Sequence, residues 1–265
     1  MNSTYLVIQA DDVGLTESIN CATLELMEAG LVTSASVMAA APSASSFLAS
    51  ITNRNLVGAH LQISTEFANG PCRPLSSRQE FPTRFRDIPT HEDFHELVAQ
   101  LQWFKAHDIR ITHCDSHLWK LFRDNWIEVF LTVALEFHIK PLLFFPDIDL
   151  IKAAKDSIHN FTLERIPELK ERGYFVFDSL IRGYPKNNLK LQKEYIHHKL
   201  KILPPGRHIL VLHPAEDDHE GRALSASWPR RVNELEIFRL NETKALLKNR
   251  DIQIIGMAQA MGGSD

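Results

Sequence analysis

Four short apolar runs in this 265-residue chain end in side chains that bind metals or move protons: Ile8-Gln9-Ala10-Asp11-Asp12, Gly58-Ala59-His60, Thr112-His113-Cys114-Asp115-Ser116-His117 and Leu210-Val211-Leu212-His213. Adjacent carboxylates at a strand end point in different directions. One of Asp11 and Asp12 can therefore ligate a cation while the other faces a nucleophilic water, unless one of them simply caps the helix that follows. His60 follows a small pair, Gly58-Ala59, that leaves room for close approach, although a lone histidine in an apolar strand is more often a hydrogen-bonded core residue. Period two puts His113, Asp115 and His117 on one strand face, where the alternative is a solvated edge. Imidazoles and carboxylates suit zinc and other first-row divalent cations, and a neighbouring carboxylate can orient a ligating imidazole through its second nitrogen. His213 ends a strongly apolar run and can act as a general acid or base near neutral pH, or merely contact the following loop.

These residues span two hundred positions, so they matter only if a fold gathers them. The elements between them alternate. Strand-like runs at Tyr5–Ala10, Val32–Ala40, Leu56–Ser64, Ile109–His117, Pro141–Phe145, Tyr174–Leu180, His208–His213 and Ile252–Met257 are separated by helical periodicity at Thr16–Glu28, Ser43–Asn53, His91–Asp108, Trp126–Phe137, Thr162–Arg172, Leu189–Leu203 and Val232–Lys248. Strands joined through helices favour a parallel sheet. The expectation is an α/β fold, a single-domain (β/α) barrel over residues 1–265 with seven or eight mostly parallel strands, whose C-terminal strand ends converge on one face. An open sheet is the alternative. The proline-rich stretch Thr65–Thr90 reads as a long functional loop, from which Arg73 could reach a substrate. His197 and His198, in a charged helix, and Glu216, Asp217 and Asp218, in a polar loop, read as solvated.

Composition excludes several classes. A hydrophobic fraction of 44%, a charged fraction of 23% and a net charge of −4 are those of an ordinary soluble protein, with no basic footprint for nucleic acid or anionic lipid. Three cysteines without CxxC spacing suggest neither a disulfide framework nor a structural zinc site. No apolar stretch approaches the roughly 20 residues needed to cross a bilayer. There is no basic region followed by a long apolar one at the N-terminus, so no secretory signal is expected, and the cysteine usage leads to the expectation of a reducing cytoplasm, with a homodimer left open.

The order of QADDVGLTESIN (9–20), Val32-Thr33-Ser34-Ala35-Ser36-Val37-Met38, VGAHLQIS (57–64), THCDSH (112–117), LVLHPAEDD (210–218) and Arg231-Val232-Asn233-Glu234-Leu235 resembles the YdjC-like carbohydrate deacetylases. These include chitooligosaccharide deacetylases and relatives associated with hopanoid biosynthesis. The resemblance spans nearly the whole chain and implies a deformed β/α barrel holding one divalent cation, magnesium or zinc first, with manganese or cobalt as alternatives. It implies Asp12, His60 and His117 as ligands, Asp11 as catalytic base and His213 as candidate general acid; His113 and Asp115 are expected to orient the ligands from behind. The implied reaction is hydrolysis of an N-acetyl group on a sugar or oligosaccharide. Two positions depart from the family pattern. Trp119 stands where a further histidine is common, and could offer a platform to a sugar ring; Ala215 replaces the glycine of an HPG-like segment. A metal-dependent phosphoesterase or other amidohydrolase on the same barrel, and a non-catalytic sugar-binding relative, are the competing readings.

Overall fold

Every strand of the sheet runs parallel to its neighbours, as the helical crossovers require. The computed structural model describes residues 3–67, 70–146, 165–183, 186–249 and 252–262. Strands β1 (Thr4–Val13), β2 (Ser34–Val37), β3 (Val57–Leu61), β4 (His113–Ser116), β5 (Lys140–Pro141), β6 (Phe144–Pro146), β7 (Phe177–Arg182) and β8 (Gly206–Leu212) pair in the order β5-β4-β3-β2-β1-β8-β7-β6, and β9 (Ile252–Ile254) adds to β1. The two ends of that order, β5 and β6, are separated in sequence only by Leu142 and Leu143. Leu142 N donates to the Cys114 carbonyl and Phe177 N to the Leu143 carbonyl. One segment thus meets both ends of the sheet, which curls into a deformed barrel. The expected strand Pro141–Phe145 is this split segment, so the nine strands of the described residues correspond to the eight expected runs.

The helices of the described residues are α1 (Glu17–Glu28), α2 (Ala44–Ser50), α3 (His91–Ala106), α4 (Asp124–Glu136), α5 (Ile166–Glu171), α6 (Leu189–Lys201), α7 (His219–Leu224), α8 (Trp228–Arg239), α9 (Asn241–Asn249) and α10 (Met257–Ala260). Their starts are chemically marked. Thr16 caps α1 by accepting from Ile19 N, and Thr90 and Asp93 form a reciprocal capping box on α3. The helix expected over Val232–Lys248 is two, because Leu240 adopts extended backbone at ψ 134° between α8 and α9. The first three residues of the helix expected at Thr162–Arg172 lie outside the described residues. Among the described residues, no helix is long and apolar enough to cross a membrane.

The core explains why strand interiors are so apolar. Leu6, Val7, Ile8 and Ala10 of β1 and Ile209, Leu210 and Leu212 of β8 are fully buried, since these strands are covered by helices outside and by side chains within. Gly58 is required by close approach: a Cβ there would lie 2.0 Å from the His113 ring. The barrel interior at this level is therefore filled by imidazole, and glycine is what admits it.

Candidate metal and active site

β1 departs from regular pairing where its carboxylates stand. Asp11 and Asp12 belong to the strand rather than to a loop beyond it, and its register with β2 shifts between Ala10 and Val13. Asp12 there has φ 59°. Strand alternation puts Gln9 and Asp11 on one face and would turn Asp12 to the other. The left-handed kink, unfavourable by roughly 1–2 kcal/mol for a non-glycine residue, instead lets both carboxylates line the same cavity. A bulge commonly re-aims a side chain next to a functional site in this way.

His60 of β3 and Asp115 of β4 are direct register partners, which places His60 Nδ1 2.7 Å from Asp115 Oδ1. Beneath them, Gln9 Nε2 donates to Asp115 Oδ2 at 2.6 Å and to Asp11 Oδ1 at 2.7 Å, and Ser36 Oγ donates to Asp115 Oδ1 at 2.7 Å. β4 ends at Ser116, so His117 opens a 3-10 segment, His117–Phe122, instead of continuing the strand face. It still reaches the cluster. His117 Nδ1 lies 3.0 Å from Asp12 Oδ1 and 3.3 Å from His60 Nε2, and His60 Nε2 lies 3.2 Å from Asp12 Oδ1.

These three atoms fit a divalent cation. Ligands about 2.1 Å from a metal stand about 3.0 Å apart at right angles and about 3.4 Å apart at tetrahedral angles, the range of the three separations. Two nitrogens and one carboxylate oxygen suit zinc and neighbouring divalent ions, with no donor that excludes magnesium or manganese. The supporting contacts agree. Asp115 holds the second nitrogen of His60, Glu66 Oε2 lies 2.9 Å from Nε2 of His117, and Arg231 binds the other oxygen of Asp12 at 2.5 Å. Each of the three is thereby left with one donor atom turned into the cluster.

The electrostatics follow from burying so many charges together. Burial opposes ionisation of Asp12, but Arg231 and His117 outweigh it and hold its carboxyl well below the usual range. Burial likewise opposes charge on the imidazoles. Asp115 and Asp11 nevertheless raise His60 well above its ordinary value, and Asp12 and Glu66 raise His117 to about 9. Those protons are what a bound cation would displace. Asp11 is pushed up to about 8 by burial and then by Asp115. His213 is pushed down to about 3 by burial, against the pull of Asp12 and with Arg231 and Arg230 reinforcing the shift. It rests neutral.

The cavity measures about 340 Å³, at the lower end of what small ligands occupy, and its lining includes Asp11, Asp12, His60, His117, Trp119 and His213. Trp119 and its neighbour Leu118 both adopt left-handed backbone, φ 54° and 53°, and the Arg182 guanidinium sits 5.4 Å from the Trp119 ring centre. His113 does not reach the cavity lining. It is fully buried, with Nδ1 2.9 Å from Thr112 Oγ1 and Nε2 3.8 Å from Asp115 Oδ2. Nor does Arg73, whose guanidinium donates to the Gly70 and Cys72 carbonyls and braces its own loop.

Sequence reasoning did not single out Gln9, Ser36, Glu66, Arg231 or Glu234 as site residues. Gln9 carried a signal, two residues before Asp11 on the same strand face. Arg231 and Glu234, three apart on α8, sit in a motif already noted; Glu234 Oε2 accepts from His213 N at 2.6 Å and lies 3.9 Å from its Nδ1. Glu66 carried no local signal.

The chain is 30% identical over 250 residues to a carbohydrate deacetylase of Thermus thermophilus, covering 89% of this chain and 86% of that one, and 24% identical over 265 residues to a carbohydrate deacetylase of Thermoanaerobacter pseudethanolicus, covering 94% and 96%. A crystal structure from Enterococcus faecalis, of a protein named for a proposed cellobiose-phosphate cleavage activity, superposes with a TM-score of 0.77 at 19% identity over 98% of this chain and 99% of that one, which establishes the shared fold. The model of the YdjC-like protein family matches residues 5–249. With that match across nearly all of its length, the chain belongs to the YdjC-like family.

Proposed function

We propose that the protein is a metal-dependent hydrolase that removes N-acetyl groups from an acetylated sugar or oligosaccharide, releasing acetate and a free amine. The observation that carries this reading is the convergence of Asp12 Oδ1, His60 Nε2 and His117 Nδ1 within 3.3 Å of one another, in a cavity that also holds Asp11 and His213. Membership of a family with relatives named carbohydrate deacetylase supports the choice of substrate.

A divalent cation at these three residues supplies Lewis acidity toward the amide carbonyl and makes a nearby water more acidic. Asp11 removes a proton from that water as it attacks. Asp11 is the carboxylate placed for that role: it lines the cavity beside the three ligands, and Gln9 Nε2 donates to its Oδ1 at 2.7 Å. His213 passes a proton to the nitrogen of the breaking C–N bond. Because it rests neutral, it takes up that proton within the reaction cycle, and Glu234 beside it provides the countercharge. The proton that Asp11 takes from water is the one His213 takes up and passes on, so Asp11 ends as carboxylate and His213 as neutral imidazole, and water and amide give acetic acid and amine without a further reactant. Trp119 contacts the sugar.

Magnesium or zinc is the proposed ion, and the cytoplasm the proposed location. Protein loaded in turn with magnesium, zinc, manganese or cobalt is expected to release acetate from N-acetylated sugars. Absence of acetate with every metal, alongside hydrolysis of p-nitrophenyl phosphate, would transfer the assignment to phosphoesterase chemistry.

A further inference from the structure

The two histidines of the cluster present different nitrogens and are held by different parts of the molecule. His60 offers Nε2 because its Nδ1 faces Asp115, a buried residue on the adjacent strand. His117 offers Nδ1 because its Nε2 faces Glu66, which belongs to no strand or helix and whose side chain is 31% exposed. We propose that Glu66 is a positioning residue that fixes the tautomer and ring orientation of His117, and that the 65–90 loop is in this way part of the metal site. The proposal rests on the metal-dependent reading and assigns this loop a role within it.

The loop is built to hold Glu66 still. Immediately after β3, Gln62 N donates to Gln100 Oε1 at 2.9 Å, and Gln100 Nε2 returns a bond to the Gln62 carbonyl at 2.6 Å. Further on, the fully buried Glu96 accepts from Leu75 N and from Ser76 N, and also from Gln100 Nε2 at 2.8 Å. Thus Glu96 and Gln100, one turn apart on α3, grip the chain on both sides of Glu66. Thr65 N adds a bond to the Pro82 carbonyl at 3.1 Å, and Arg78 pairs with Asp93 of the same helix. Nothing in hydrophobic packing demands a buried carboxylate on α3. Its bonds go to the backbone of the loop that carries Glu66.

A histidine held by a carboxylate through its second nitrogen is a recurring device in metal sites, and loss of such a partner typically lowers metal affinity 10–100-fold. Glu66→Ala is expected to weaken zinc binding by about that factor in a chelator competition. Glu66→Gln, which keeps an acceptor oxygen, is expected to recover most of the affinity. Cobalt-substituted protein gives a direct view. Its proton NMR spectrum is expected to contain two exchangeable, paramagnetically shifted imidazole N–H signals, one from each ligating histidine, and Glu66→Ala should remove or broaden the His117 signal alone. Glu96→Ala, remote from the metal, should weaken binding in the same direction. Equal zinc affinity for wild type and Glu66→Ala, or an equal loss in the Ala and Gln variants, would overturn the positioning role while leaving the metal site intact. Failure of the wild type to bind any of these ions would instead remove the metal-dependent reading itself.

Discussion

The floor of the cavity and its rim are built on opposite terms. Gln9, Ser36, His60 and Asp115 lie on four strands that are neighbours around the barrel, all buried, and each bonds to at least one of the others. The rim comes from connections: Glu66 from the long loop, Leu118 and Trp119 from a 3-10 segment in left-handed backbone, and Arg230 and Arg231 from the start of α8. A strand register fixes neighbouring side chains to within tenths of an ångström, whereas loops vary at little expense to the core. The floor therefore suits the parts of the chemistry that tolerate no displacement. Apart from Glu66 and Arg231, which hold the ligands His117 and Asp12, the rim suits choice among substrates.

If that division holds, damage to the floor should abolish reaction and damage to the rim should retune it. Asp11→Asn removes the base but leaves the three ligands, and kcat should fall by about 10²–10⁴ with metal content unchanged by elemental analysis. Metal loss accompanying that fall would make Asp11 a ligand. Asp115→Asn should lower metal affinity about 10–100-fold, because His60 loses the charged partner of its second nitrogen. Gly58→Ala tests the floor as packing. A methyl group forced against the His113 ring should destabilise the protein by about 1–3 kcal/mol in urea unfolding, with an unchanged midpoint showing that the imidazole can retreat. At the rim, Trp119→Ala should raise KM by roughly two- to tenfold, the worth of one aromatic contact, with kcat largely preserved. A kcat collapse instead would move Trp119 into the floor.

The smallest effect is a slope in pH. In metal-free protein, Asp11 binds its proton up to about pH 8 when folded but releases it near 3.8 when unfolded, and His117 holds its proton to about 9 rather than 6.5. The folded state binds more protons through this interval, so stability falls as pH rises. For His117 the contribution is fully present below about 6.5 and lost through about 9. Chelator-treated protein should therefore melt progressively lower from pH 6.5 to 9, and saturating zinc should reverse that trend, since the ligands bind the ion deprotonated. A flat profile without metal would mean that the floor is not charged in this way.

Much of this was legible residue by residue. Alternating periodicity disclosed the barrel, and the positions of Asp11, Asp12, His60, His117 and His213 at apolar strand ends pointed to one shared face. The split of α8 from α9 was hidden because Leu240 is as compatible with a helix as its neighbours are. His113 sits on the anticipated face, yet a single residue of strand beyond Asp115 separates what reaches the cavity from what supports it. Glu66 was out of reach altogether.

What the sequence determined by itself was which side chains could perform chemistry and that strands would carry most of them, because period two and apolar runs are local properties of the chain. Which nitrogen each histidine presents, which oxygen Arg231 takes from Asp12, and that a carboxylate 51 residues from His117 completes its environment were decided only by the tertiary structure. Those choices depend on distances between segments remote in sequence, and such distances exist only once the barrel has closed and α3 has fastened the loop against it.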